Sequence, residues 1–289
     1  MEIFYSMCYN ILSYARIQYM YQTLIGGICL NKEIFGLDIH YTEEGEGELV
    51  VLLHGWGSNI ELFRPTIDTL KGNYKVVAMD MPGFGQSEEP DEPWDVDRYV
   101  DFLLAFLEPY HADKVILLGH SFGGRVIIKL CARELPFTVD KVVLVDAAGV
   151  LPEKSPWEKF KQKLIALTGW FFKLAIIQKL FPHLLEALRR HSGSADYNAA
   201  TPVMRQTLVK VVNEDLCDLM PHITCPTLLI WGTADTATPF SDAVKMNSLM
   251  PESAIVRLEG RDIFRSSTAS RNICACSLRF SMFRKERGS

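Results

Sequence analysis

The chain has 289 residues, is 48% hydrophobic and 22% charged, and carries a formal net charge of −5. That length supports a large buried core, as one domain with an insertion or as two small domains, and the mild acidity excludes the basic footprint of a nucleic-acid-binding protein. Seven cysteines, at positions 8, 29, 131, 217, 225, 274 and 276, form no disulfide framework in a chain this long and fit a reducing compartment.

Residues 1–35 have no clear period and read as an N-terminal extension. Glu2 stands where a signal peptide needs positive charge, and Met1 to Tyr21 is tyrosine-rich without a clean apolar stretch, so a cytoplasmic protein is expected. From Leu37 the pattern becomes strand, acidic glycine turn and buried strand: Leu37 to Tyr41, Glu43 to Glu48, Leu49 to Leu53. The second strand runs into His54-Gly55-Trp56-Gly57, and the carboxyl ends of strands are where open α/β sheets bind ligands.

A helical pattern over Ile60 to Leu70 and a strand over Tyr74 to Met79 follow, then the turn Asp80 to Ser87, in which Asp80 is expected to be structural. Asp95 can cap a helix whose apolar face is Val96, Tyr99, Val100, Leu103, Leu104 and Leu107. Val115 to Leu118 is a buried strand, and Lys141 to Val145, ending at Asp146, is another. Strands alternating with helices at this spacing predict a mostly parallel sheet covered on both faces.

Between about 151 and 220 the alternation stops. Trp157, Phe160, Leu164, Leu167, Trp170, Phe171, Leu174, Ile177, Leu180 and Leu184 fall three or four apart, which predicts helices inserted over the sheet's carboxyl edge as a lid. The run Leu164 to Leu188 is broken by Lys173, Lys179 and Glu186 and falls short of the roughly 20 uninterrupted residues of a membrane span. The sheet resumes at Pro226 to Trp231, followed by the loop Gly232 to Pro239, a helix over Ser241 to Met250 and a last strand over Ala254 to Leu258. The core is thus expected over 36–150 and 221–260.

Between strand and helix lies Gly119-His120-Ser121-Phe122-Gly123-Gly124. In that setting Gly-x-Ser-x-Gly is a nucleophile elbow, whose glycines remove side chains that would collide when the backbone folds tightly enough to project a serine hydroxyl above the sheet. With His-Gly-Trp-Gly at 54–57, Asp-Met-Pro-Gly-Phe-Gly-Gln-Ser at 80–87 and Trp-Gly-x-x-Asp-x-x-x-Pro at 231–239, the chain resembles the α/β-hydrolase family, in its lid-bearing serine-nucleophile branch, over roughly residues 36 to 260.

The resemblance implies Ser121 as nucleophile, the backbone N–H groups of Trp56 and Phe122 as the oxyanion hole, and Asp235 as the acid that orients the base, with Asp146 as a fallback acid. It implies no metal and no cofactor. The expected substrate is a small carboxylic ester or thioester with an apolar portion, met by the aromatic residues of the lid. Carbon–carbon bond hydrolysis and a catalytically inactive ligand-binding homologue are the alternatives.

One family feature is missing. The family places its histidine base after the last strand, typically within Gly-x-Gly-His-Phe-Pro, but here no histidine follows His222. His222 and His120 are the weak substitutes. Residues 261–289 carry seven basic residues against two acidic ones and no amphipathic repeat. Read one frame over, from a final G of the Arg261 codon, Asp262 to Arg265 can be encoded as Gly-His-Phe-Pro. The tail therefore reads as a frame-slip product that replaced the native C-terminus.

Overall fold

The structure, a computed structural model, describes residues 28–151 and 195–260. The described residues form an eight-stranded sheet in the order β1-β2-β4-β3-β5-β6-β7-β8. Its strands are β1 (Ile28–Ile34), β2 (Leu37–Glu44), β3 (Glu48–Leu53), β4 (Tyr74–Met79), β5 (Lys114–His120), β6 (Thr138–Val145), β7 (Thr227–Gly232) and β8 (Ser253–Leu258). β1 and β2 run antiparallel and every pairing from β4 to β8 is parallel.

The period of two in the strand sequences builds both cores. Leu49, Val51 and Leu53 of β3, Val115 and Leu117 of β5, and Val142 and Leu144 of β6 face one cluster. Val50 and Leu52, Leu118, and Val143 and Val145 face the other. The first cluster is covered by α2 (Val96–Leu107), α3 (Phe122–Cys131) and α6 (Phe240–Leu249), and the second by a 3-10 turn (Ile60–Phe63) that continues into α1 (Arg64–Leu70). Asp95 caps α2 as its sequence position requires, accepting the Arg98 N–H at 2.9 Å.

The expected extension is corrected at its end, because residues 28–34 are not outside the domain: β1 pairs along β2 from Ile28 opposite Glu43 to Ile34 opposite Leu37. As an edge strand it buries little. Asn31 and Glu33 are exposed, Lys32 is half-buried, and the Lys32 ammonium donates to the Phe106 carbonyl at 3.2 Å, so no hydrophobic alternation announces the strand. Of the expected inserted segment, the described part carries α4 (Ala195–Ala199), α5 (Pro202–Val212) and a 3-10 turn (Cys217–His222). It is joined to the core where Trp94 N–H donates to Thr207 Oγ1 at 3.1 Å and Leu216 N–H donates to the Gly149 carbonyl at 2.9 Å. The helices expected between Trp157 and Leu184, residues 1–27 and the basic tail from 261 lie outside the described residues.

Asp80, buried at the end of β4, ties its turn as expected. One carboxylate oxygen accepts the Ile60 N–H at 2.7 Å and the other the Gln86 N–H at 2.8 Å. Asp80→Ala strands both donors, at about 1–3 kcal/mol each where they are buried, so urea denaturation of the variant is expected to show a loss near 3 kcal/mol. An unchanged midpoint would show that water satisfies both groups.

Candidate active site

The site begins with a backbone that ordinary residues avoid. β5 ends at His120, α3 starts at Phe122, and Ser121 between them has φ 47° and ψ −107°. Its N–H donates to the Val145 carbonyl at 3.1 Å, and its carbonyl accepts from Ala148 N–H at 3.0 Å and Arg125 N–H at 3.3 Å. The flanking glycines are obligatory for packing: a Cβ on Gly119 would lie 2.6 Å from the Gly124 nitrogen, and one on Gly123 would lie 2.1 Å from the Leu53 carbonyl oxygen.

The loop after β3 closes on the same point. A Cβ on Gly55 would stand 2.6 Å from His120 Nδ1 and 3.3 Å from Ser121 Cβ, so the chain carrying Trp56 passes directly beside the serine. Phe122 is the first residue of α3, where N–H groups have no intrahelical acceptor. The Trp56 and Phe122 rings meet edge-on at 5.5 Å, and Trp56 meets Phe84 at 4.8 Å. Ser121, Phe122 and Trp56 are thereby brought together.

A cavity of about 360 Å³ opens beside them, with Trp56, Phe84, Glu89, Asp196, Ala200 and Met204 in its wall. The sequence reading missed Met204 and Glu89. The available signal was Thr201-Pro202, a capping hydroxyl followed by an N-terminal proline, which starts α5 and sets Met204 one turn in. Thr201 donates to Glu89 at 2.6 Å and so joins the inserted segment to the loop after β4.

The two candidate acids occupy neighbouring loops with different duties. Asp146 is buried, with φ 41°; its Oδ1 accepts the Gly232 N–H at 2.9 Å and its carbonyl accepts the Thr238 hydroxyl at 3.2 Å. It clasps the carboxyl ends of β6 and β7 together. Asp235 is half-buried, and its Oδ1 accepts the N–H groups of Ala237 at 2.7 Å and Thr238 at 2.9 Å. Thr233 N–H donates to the Leu258 carbonyl at 3.1 Å and Gly260 N–H to Thr233 Oγ1 at 2.8 Å, so the chain leaves β8 tied to the loop that carries Asp235.

The histidines do not supply a base, which corrects both weak substitutes. His222 is exposed and lies ahead of Thr227, the first residue of β7, so it belongs to the amino edge of the sheet, opposite Ser121. His120 is adjacent in sequence, but its Nδ1 is buried against Gly55, and burial, reinforced by His54, pushes its pKa down to about 3. His54 is spent on structure. Its Nδ1 donates to the Gly55 carbonyl at 2.7 Å, its Nε2 accepts the Met81 N–H at 2.9 Å, and burial lowers its pKa. These two rings hold the loop after β3 as neutral imidazoles.

The α/β hydrolase fold family model matches residues 48–185. A 2-hydroxy-6-oxo-6-(2'-aminophenyl)hexa-2,4-dienoic acid hydrolase from Metapseudomonas resinovorans is 27% identical over 235 residues, 75% of this chain and 78% of that protein. A pimeloyl-[acyl-carrier protein] methyl ester esterase from Vibrio campbellii is 24% identical over 229 residues, 74% of this chain and 87% of that protein. The crystal structure of a serine hydrolase involved in carbazole degradation superposes with a TM-score of 0.67 at 24% identity, covering 89% of this chain and all of that one. The chain belongs to the α/β-hydrolase fold family.

Two outcomes test this geometry. Ser121→Gly removes the strained conformation, worth about 1–3 kcal/mol, against a glycine entropy cost of about 0.5–1 kcal/mol, so its thermal midpoint is expected to rise; a fall would mean that the backbone is not strained. For His120, a folded pKa of about 3 against 6.5 in the unfolded chain means that the unfolded state takes up the proton first as pH falls. Its stabilisation is complete above pH 6.5 and is lost towards pH 3 at about 1.4 kcal/mol per pH unit. Urea denaturation between about pH 6 and pH 4 should show His120→Gln with a shallower slope by that amount; equal slopes would place the histidine in solvent.

Proposed function

We propose that the native protein is a serine hydrolase that cleaves a small carboxylic ester or thioester through an acyl-Ser121 intermediate. The observation that carries the reading is the strained Ser121 with the Gly55–Trp56 backbone packed against it. In this mechanism Ser121 Oγ attacks the acyl carbon, and the N–H groups of Trp56 and Phe122 hold the oxygen that becomes negative, each donor being worth about 3 kcal/mol in the transition state. The alcohol or thiol leaves with a proton, and water then releases the acid and regenerates the serine. Asp235, half-buried beside the exit of β8, orients the base that shuttles these protons, while Asp146 is retained as the inter-strand clasp. The aromatic wall of Trp56 and Phe84 receives an apolar portion of the substrate.

The proposed base is absent from the chain as it stands, and the neutral, structurally committed His54 and His120 do not replace it. Two observations favour a slipped frame: Gly260 ends tied to Thr233, so the next residues start beside Asp235, and the alternative frame places His-Phe-Pro there. Loss of a triad base costs roughly 10⁴-fold or more in turnover. The matched hydrolase from Metapseudomonas resinovorans supports carbon–carbon bond cleavage at the same serine as the second reading.

The test rebuilds Gly-x-Gly-His-Phe-Pro in the protein by Arg261→Ser, Asp262→Gly, Ile263→His and Arg265→Pro, keeping Phe264. Turnover of p-nitrophenyl butyrate is expected to rise by about 10³-fold or more over the unsubstituted chain and to vanish again when Ser121→Ala is added. An unsubstituted chain that already turns over at ordinary esterase rates, or activity that survives Ser121→Ala, overturns the proposal.

A further inference from the structure

The helix and strand that lead to and from the site meet again at the opposite edge of the sheet. α3 runs from the elbow down to Cys131, and Cys225 precedes β7, the strand that rises to the Asp235 loop. Both cysteines are half-buried against the same hydrophobic cluster, and their thiols are hydrogen-bonded to each other. The turn that presents Cys225 is fixed by Thr227, whose hydroxyl donates to the Cys225 carbonyl at 3.1 Å.

The two thiols are not equivalent. Hydrogen bonding by Cys131 lowers the pKa of Cys225, helped by Thr227, while the same contact and burial raise that of Cys131. Cys217 is held up at about 11 by burial and by Asp215, and Cys29 is raised by burial. Among the described cysteines, Cys225 is therefore the thiol most readily ionised, and the thiolate is the species that reacts with oxidants.

We propose that Cys131 and Cys225 are an oxidation-responsive dithiol, converted by hydrogen peroxide into a disulfide that staples the end of the nucleophile helix to the start of the acid-bearing strand. The Cys225 thiolate attacks one peroxide oxygen, breaking the O–O bond and releasing hydroxide, and becomes a sulfenic acid. Cys131 sulfur then attacks Cys225 sulfur, forming the S–S bond and expelling the sulfenic oxygen as water. Two thiols are oxidised, one peroxide is reduced, and two waters carry away the thiol protons. The bridge closes a loop from 131 to 225 that contains β6 and the whole inserted segment, so it restrains the unfolded chain strongly and ties down the base from which that segment rises.

The full chain, treated with hydrogen peroxide, blocked with iodoacetamide and digested, is expected to yield a peptide pair joined through Cys131 and Cys225, about 2 Da lighter than the separate thiol peptides and released by dithiothreitol. Oxidation is expected to raise the thermal midpoint by several degrees in the unsubstituted chain and not in Cys131→Ala, where dimedone instead captures the sulfenic acid on Cys225. Recovery of both cysteines as iodoacetamide adducts after oxidation, or their appearance bridged to other cysteines, overturns the proposal. The peptide map is read on the unsubstituted protein, so it decides the question even if the variant does not fold.

Discussion

The whole carboxyl edge depends on one close approach of backbones. Ser121 turns through a positive φ between β5 and α3, with Leu53 of β3 on one side and the Gly55 peptide on the other. No Cβ fits at Gly119 or Gly123, and the conformation is strained for any residue that has one. What holds it is the parallel sheet itself: the register sets Leu53 beside Gly119 and His120 beside Val145, and the carbonyl of Val145 and the N–H of Ala148 take up the polar groups of Ser121. The strain is local, and the restraint is distributed over three central strands whose side chains fill both cores.

Around that point the loops are built by aspartates and histidines that satisfy backbone groups. Asp80 fastens the ends of its turn after β4, Asp146 joins β6 to β7, and Asp235 caps the turn after β7. His54 spans from its own loop to Met81 as a neutral imidazole, donating at one nitrogen and accepting at the other. A buried carboxylate or imidazole with both sides committed has little freedom to exchange protons with a substrate, because each exchange strands a backbone partner. Asp235, half-buried and beside the exit of β8, is the carboxylate this division leaves for chemistry in the reading proposed above.

Much of this was legible in the sequence, for a physical reason. Val50 to Leu53, Val115 to Leu118 and Val142 to Val145 are apolar on both sides because both faces of a parallel sheet are covered, and glycine runs at strand ends mark where backbones crowd. β1 was not legible, since an edge strand of Asn31, Lys32 and Glu33 has little to bury. Nor was the division between Asp146 and Asp235: both end or follow a strand, and only the Gly232 N–H at 2.9 Å separates a clasp from a capped loop. The rejection of His120 and His222 likewise needed burial and strand direction, which a one-dimensional reading does not carry.

The geometry also explains how a chain can hold a nucleophile turn intact while lacking the expected base. Every described contact that fixes Ser121 is a main-chain hydrogen bond or a glycine contact from β3, β5, α3 and the start of the loop after β6; none involves a residue beyond β8. The turn therefore folds whether or not a histidine follows, and the strain at Ser121 is carried in either case. A base contributes nothing to that local packing and everything to proton transfer, so losing it removes the chemistry without dismantling the elbow, the Trp56 loop or the cavity beside them. Selection for the fold alone would relieve the strain by putting glycine at 121. Serine there, under a conformation that penalises it, is the imprint of a function the rest of the site still frames.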